Sequence, residues 1–301
     1  AVARTFAISA LGSITYYVGI TYVPAFLHAN GRGEGEALWL STIAAVAVIL
    51  ATPLFGLLSD RFGRRPLLLG LTLLSALLPL SMFAWMAQAS TLGVVGAAVV
   101  LACVAGGISA VAASATAEQF PGEGRLSGLA LGVTMATAVF GGATPWLAQW
   151  WVERSGWNAA PGAMIAIVAL LVLPVLWRLP ESVDFLVGRR PARALEKLNR
   201  LMALMGHPAM LQLPAQAGGD VQQGNTVAAL FRNGLARPTL MLWAGFFLLM
   251  FSFYFSLSWT PKLLTSAGLS VQQGVTGGVL LSVGGIFGAT LLGLMRQAAA
   301  I

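Results

Sequence analysis

Between two apolar stretches the chain reads Gly56-Leu57-Leu58-Ser59-Asp60-Arg61-Phe62-Gly63-Arg64-Arg65-Pro66, one carboxylate set among three guanidinium groups. One acid beside several cations suits a charge network that forms and breaks. Nucleophilic or metal chemistry would need a neighbouring base or a cluster of ligands instead. Gly56 is expected to let helices approach closely and Gly63 to permit a tight turn, while Asp60 can answer a helix N-terminus or a cation. We expect these residues to act as a latch. Glu118, in Ala117-Glu118-Gln119-Phe120-Pro121, is its expected partner, at the level of Arg64, Arg65 and Arg125. The plain alternatives are a solvated loop acid and a set of cations fixed by topology.

A second group of residues could bind a solute. Hydroxyls and rings gather in two apolar runs, as Ser13, Thr15, Tyr16, Tyr17, Thr21 and Tyr22 in one and Ser252, Tyr254, Ser256, Ser258 and Trp259 in another. Such groups suit a carboxylate and a ring, which makes Tyr16, Tyr17, Tyr22, Tyr254, Ser256 and Trp259 the binding candidates. Hydrogen bonding between helices or an interfacial aromatic belt explains any one of them as well. Enzyme chemistry fares poorly: Cys103 has no His nearby in sequence, there is no metal-ligand cluster, and no phosphate-cradling Gly-rich loop with Lys appears. We expect no cofactor and no metal.

These residues must be held by something other than a soluble scaffold. Of 301 residues 57% are hydrophobic and only 9% charged, with a mean hydropathy of +0.82, whereas soluble domains carry roughly 25% charged residues. Crossing a bilayer takes roughly 20 consecutive, mostly apolar residues. Eight runs qualify, near 5–26, 38–58, 67–88, 92–116, 128–150, 160–177, 239–260 and 273–295, and none holds an Asp, Glu, Lys or Arg. They are continuously apolar rather than alternating, which predicts helices and excludes a barrel. His28 and His207 fall outside them, so no ionisable group of the usual proton-relay type lies at membrane depth.

With residue 1 in the cytoplasm, only Arg32, Arg154 and Lys262 of the seventeen Lys and Arg fall outside. The positive-inside rule therefore predicts a multi-pass protein of the cell inner membrane with a cytoplasmic N-terminus. The pI near 10.5 then implies anionic membrane lipid as partner rather than nucleic acid. We expect a six-helix bundle over 1–178, a cytoplasmic connection over 179–238 and two further spans over 239–301. Within the connection, Leu195, Leu198, Met202 and Met205 recur at helical spacing opposite Arg193, Glu196, Lys197 and Arg200, predicting an amphipathic helix with a Glu196–Arg200 pair on the inner membrane face. Gly141, Gly142 and Pro145 interrupt the fifth run, where a kink that allows rocking and simple close packing explain the glycines equally well.

The Gly56–Pro66 string resembles the signature loop between the second and third helices of the major facilitator superfamily. Glu118-Gln119-Phe120-Pro121, Arg125, Ser127, Gly128 and Phe140-Gly141-Gly142-Ala143-Thr144-Pro145-Trp146 are similar to the C-terminal half of the metabolite:proton symporter family. Leu179-Pro180-Glu181-Ser182-Val183-Asp184-Phe185-Leu186, Trp259-Thr260-Pro261-Lys262-Leu263-Leu264 and Ala267-Gly268-Leu269-Ser270 resemble the central loop and seventh helix of the aromatic acid:proton symporter family. Neither family has its segments in this order, so a fragment, two joined pieces or one divergent transporter are all open. The resemblance implies an all-α membrane protein, a major facilitator-type bundle of about eight transmembrane helices on an incomplete chain. It further implies symport of a small organic acid with protons, with a non-transporting receptor, a scaffold on the same fold or an inactive transporter fragment as the alternatives.

Overall fold

In hydrocarbon every backbone N–H and C=O must be paired within its own segment, so uninterrupted apolar runs fold as helices. A computed structural model describes residues 1–120, 125–204, 208–214, 228, 230–232, 234–269 and 284. The chain divides into two units, Ala1–Gln216 and Ala217–Ile301. In the first, α1 (Val2–Tyr16) passes through a π-helical turn (Tyr17–Thr21) into α2 (Val23–Ala29), with a bend of 41°. The expected first span is thus a broken one. Pro24 opens α2 and supplies no N–H, and the Tyr22 N–H reaches back to the Tyr17 carbonyl at 2.9 Å.

There follow α3 (Glu34–Phe62), α4 (Arg64–Met86) and α5 (Thr91–Ala117), the last capped by the Ser90 hydroxyl, which accepts from the Gly93 N–H. α6 (Arg125–Thr137) runs through a second π-helical turn (Ala138–Gly142) into α7 (Thr144–Ser155). The interruption predicted around Gly141, Gly142 and Pro145 is this π turn, in which Thr144 returns its hydroxyl to the Phe140 and Gly141 carbonyls at 2.9 and 2.7 Å. α8 (Ala160–Trp177) completes the bundle; α9 (Val183–Arg189) and α10 (Ala194–Leu204) form the connection.

Close approach of the helices is set by glycine, at Gly107 as its apolar run leads one to expect and at Gly162. A Cβ on Gly162 of α8 would collide with the Pro79 carbonyl and Leu80 backbone of α4, and one on Gly107 of α5 would meet the Phe55 ring of α3 at 2.9 Å. Gly56, by contrast, faces open space, with nothing within 4 Å of a Cβ. It therefore brings no helix closer, because α5 meets α3 at the adjacent Phe55 and, one and two turns earlier, at Thr52 and Val48. Ile8, Leu11, Ile14, Phe26, Phe83, Ile108 and Ile165 fill the core, with the Phe26 and Phe83 rings edge to face at 5.1 Å.

The connections collect at two ends. At one, Arg32 donates to Glu36 and Thr91 at 3.0 Å each and to the Ala89 carbonyl, tying the α2–α3 junction to the α4–α5 junction. At the other lie the α3–α4 and α8–α9 junctions and the end of α5 at Glu118. On α10 the buried Leu198 faces inward, and Glu196 pairs with Arg193 at 3.9 Å rather than with the Arg200 expected. Arg193 holds a left-handed φ of 59° just ahead of the helix, which brings it within reach of the first turn.

In the second unit α11 (Ala236–Ser266) exposes its apolar residues, and Phe247, Phe251, Phe255 and Trp259 stack in steps of one turn at 6.2, 6.0 and 5.8 Å. Among the described residues six helices are long and apolar enough to cross a membrane, or seven with the bent α1–α2 pair as one span. The eighth run, near 273–295, lies outside the described residues.

Candidate functional site

Arg64 is the centre of the signature loop. Its Nε and Nη2 donate to the two Glu118 oxygens at 3.1 and 3.0 Å, a two-pronged pair, while Nη1 reaches Asp60 at 2.9 Å and the Ser59 carbonyl at 3.2 Å. The side chains of Arg64 and Glu118 are 13% and 15% exposed, but Asp60 is 58% exposed. Screening therefore leaves the Glu118 pair as the stronger of the two. The Phe185 ring, 5.9 Å from the guanidinium carbon, closes its remaining face.

Asp60 thus answers a cation, and the helix N-terminus is answered by a residue outside the loop. Glu181 Oε1 accepts the Arg64 N–H at 2.9 Å and Oε2 the Arg65 N–H at 3.4 Å, placing a carboxylate on the first free amides of α4. Sequence reading singled out Glu181 only within the Leu179–Leu186 resemblance. Gly63 makes room for it: its φ is 102°, and a Cβ would sit 2.5 Å from Glu181 Oε2. The remaining loop cations differ in use. Arg65 donates to the Trp177 carbonyl at 2.6 Å, Arg61 lies over Phe62 at 5.5 Å, and Arg189 donates to the Asp60 carbonyl at 3.0 Å. Arg125 is the first residue of α6, and its side chain lies outside the described set.

Within the bundle a cavity of about 260 Å³ opens between α1, α5 and α6. Tyr16 and Tyr17 line it together with the hydroxyls of Ser9, Ser13, Ser109, Thr116 and Thr137. Ser13 and Thr137 share a hydrogen bond at 3.1 Å across it. The two π turns meet beside it, since a Cβ on Gly141 would stand 3.0 Å from the Tyr17 ring. Ser109, Thr116 and Thr137 are scattered one or two per helix, so no local pattern marks them; only the crossing of three helices brings them together. Tyr22 stands apart from these groups. It is 2% exposed and donates to Gln149 Oε1 at 2.7 Å, and Gln149 in turn donates to Glu153 at 2.8 Å. Tyr254 and Trp259 are half exposed on α11 and Ser256 is part buried, with Phe253 and Tyr254 edge to face at 5.4 Å.

Residues 5–298 match the Major Facilitator Superfamily. The chain is 31% identical over 178 residues to the citrate-proton symporter of Klebsiella pneumoniae, covering 56% of this chain and 39% of that protein. It is 32% identical over 146 residues to the 4-hydroxybenzoate transporter PcaK of Pseudomonas aeruginosa, covering 46% and 31%. With the proline/betaine transporter of Escherichia coli K12 it shares 32% over 167 residues, covering 54% and 32%. Among solved structures it is similar in fold to the proton:xylose symporter XylE bound to 6-bromo-6-deoxy-D-glucose, with a TM-score of 0.65 at 18% identity, over 94% of this chain and 66% of that one. The chain therefore spans less than two fifths of the length of these curated relatives. These relatives are transporters, not enzymes. From the match across residues 5–298 and the shared fold, the chain belongs to the Major Facilitator Superfamily.

Proposed function

We propose that this protein moves a small organic acid, an aromatic acid or another carboxylate metabolite, across the cell inner membrane together with protons by alternating access. The observation that carries the reading is the hydroxyl-lined cavity between α1, α5 and α6. The Ser9 and Ser109 hydroxyls and one of the Ser13–Thr137 pair can donate to a carboxylate, the Thr116 hydroxyl being given to the Ala112 carbonyl, and Tyr16 and Tyr17 offer ring faces. At about 260 Å³ it suits a solute of metabolite size, just under the usual ligand-pocket range of about 300–1,000 Å³. Similarity to a citrate-proton symporter and a 4-hydroxybenzoate transporter supports the substrate class and, in the first case, the proton. Among the described residues no Asp, Glu or His lines the cavity, so proton coupling rests on that similarity.

In this reading Gly56, Asp60, Arg61, Gly63, Arg64, Arg65, Glu118 and Arg125 form the cytoplasmic gate. The Arg64–Glu118 pair holds it shut, and its rupture accompanies the rocking of helices that opens the inner side. In this reading Tyr254, Ser256 and Trp259 of α11 also serve the solute, whereas the buried Tyr22, held by Gln149, does not. Uptake by vesicles containing the purified protein tests the reading. Under an inward pH gradient we expect accumulation of 4-hydroxybenzoate or citrate that a protonophore abolishes. Accumulation of proline or xylose alone would overturn the substrate class.

A further inference from the structure

At the latch end a larger cavity, about 910 Å³, lies between the base of α4, the end of α8 and the α9–α10 connection. Arg61, Arg65, Arg178, Lys197 and Arg200 line it, together with Trp177. Glu181 is the one acid among its described lining residues, and its oxygens already hold the Arg64 and Arg65 amides. Among the described residues none of the five cations forms an ion pair. Charge of one sign is concentrated here in a concave site, which calls for an anion with several acceptor oxygens.

What leads away from the cations identifies the rest of the ligand. Leu69 lines the cavity, and Leu73 and Leu77 follow it by one and two turns on the same face of α4, 49% and 69% exposed. On the neighbouring α8, Trp177 is 67% exposed and Leu170, two turns earlier, 58%. A strip of exposed aliphatic and aromatic surface thus continues from the cationic cavity along two membrane-spanning helices. A free phosphate has no use for such a strip, and a zwitterionic headgroup would bring its own ammonium against five cations. We propose that this cavity binds the headgroup of an anionic phospholipid, with the phosphate among Arg61, Arg65, Arg178, Lys197 and Arg200 and an acyl chain along α4 and α8.

The site rests on the membrane-embedded fold and not on which solute is carried, so failed uptake in the vesicle assay would leave it standing. Delipidated protein is titrated with phosphatidylglycerol in detergent and read by native mass spectrometry, with phosphatidylcholine of the same chains as reference and sodium phosphate as competitor. We expect phosphatidylglycerol to bind at least about tenfold more tightly than phosphatidylcholine. The variant Arg178→Gln/Lys197→Gln/Arg200→Gln should bring the two lipids within about twofold of each other, whereas Arg178→Lys/Arg200→Lys keeps the preference. An unchanged preference in the Gln variant overturns the proposal, as does displacement of the lipid by equimolar phosphate. Should the Gln variant not purify, brominated lipids read the site in the unaltered chain. Brominated phosphatidylglycerol, and not brominated phosphatidylcholine, should quench the fluorescence component that Trp177→Phe removes; equal quenching by both overturns the assignment.

Discussion

Arg64 makes more of the observed contacts at the latch than any other side chain, and its two acids are not equivalent. Removing it strands Glu118, which is 15% exposed, whereas Asp60 at 58% keeps its water. Arg64→Ala should therefore destabilise by about 2–3 kcal/mol and Asp60→Asn by about 1 kcal/mol or less, measured as thermal midpoints in detergent. On the transport proposed above both should act strongly, since in that reading each removes a charge from the closed gate; wild-type uptake in either would sink the gate assignment. The glycines of the loop also part company. Gly63→Ala meets both a left-handed φ and the Glu181 carboxylate and should cost more than about 1–2 kcal/mol. Gly56→Ala adds a methyl to open space inside a helix and should be neutral or stabilise by up to about 1 kcal/mol. Equal losses for the two would show that close helix approach at Gly56 matters after all.

Among the elements, the α4–α8 and α1–α6 pairs respond to substitution in different ways. Gly162→Ala drives a Cβ into the Pro79 carbonyl and Leu80 backbone, groups that no rotamer change can clear, so α4 and α8 must separate. A loss of about 2–3 kcal/mol in unfolding is expected, with the solute preference of the surviving protein intact. Gly141→Ala meets the Tyr17 ring, which can turn aside. Its stability should change little while solute affinity falls, because Tyr17 lines the cavity. A π turn at each of these two positions spaces the chain so that Tyr17 and Gly141 can face one another, and insertions of this kind recur at functional sites. Substitutions that report first on stability at Gly141 and first on affinity at Gly162 would reverse this picture.

On the scale of the whole molecule, the sorting of junctions to two ends makes a topological prediction. Gly33 and Ser155 sit at junctions of the Arg32 end, and Gly188 belongs to the connection at the latch end. In a Cys103→Ala background, single cysteines at 33 and 155 should react with an impermeant maleimide added outside cells, and one at 188 only after permeabilisation. Labelling of position 188 from outside would invert the orientation drawn from the cations.

Much of this was legible without coordinates, and the division has a physical cause. The helical state of the apolar runs follows from their length alone, because lipid leaves the backbone no other way to pair its polar groups, and seven of the eight expected spans fall among the described residues when the bent α1–α2 pair is taken as one. The Asp60–Arg64 contact is local, one helical turn across the junction, and the Gly56–Pro66 string announced it. Glu118 was readable because it sits at the end of its own run, at the same level as Arg64. By contrast, Glu181 on the α4 N-terminus joins residues more than a hundred positions apart, and nothing in either segment names the other. The cavity hydroxylic groups of Ser109, Thr116 and Thr137 are likewise isolated in their runs and converge only where α1, α5 and α6 cross. Tyr22 shows the converse: its type and place suggested a binding residue, and packing instead buried its ring and gave its hydroxyl to Gln149. Apolar length and local charge spacing are properties of a segment and can be read from it; which segments touch is decided by glycine-sized gaps such as Gly107 and Gly162, and only the folded bundle shows which gap each helix fills.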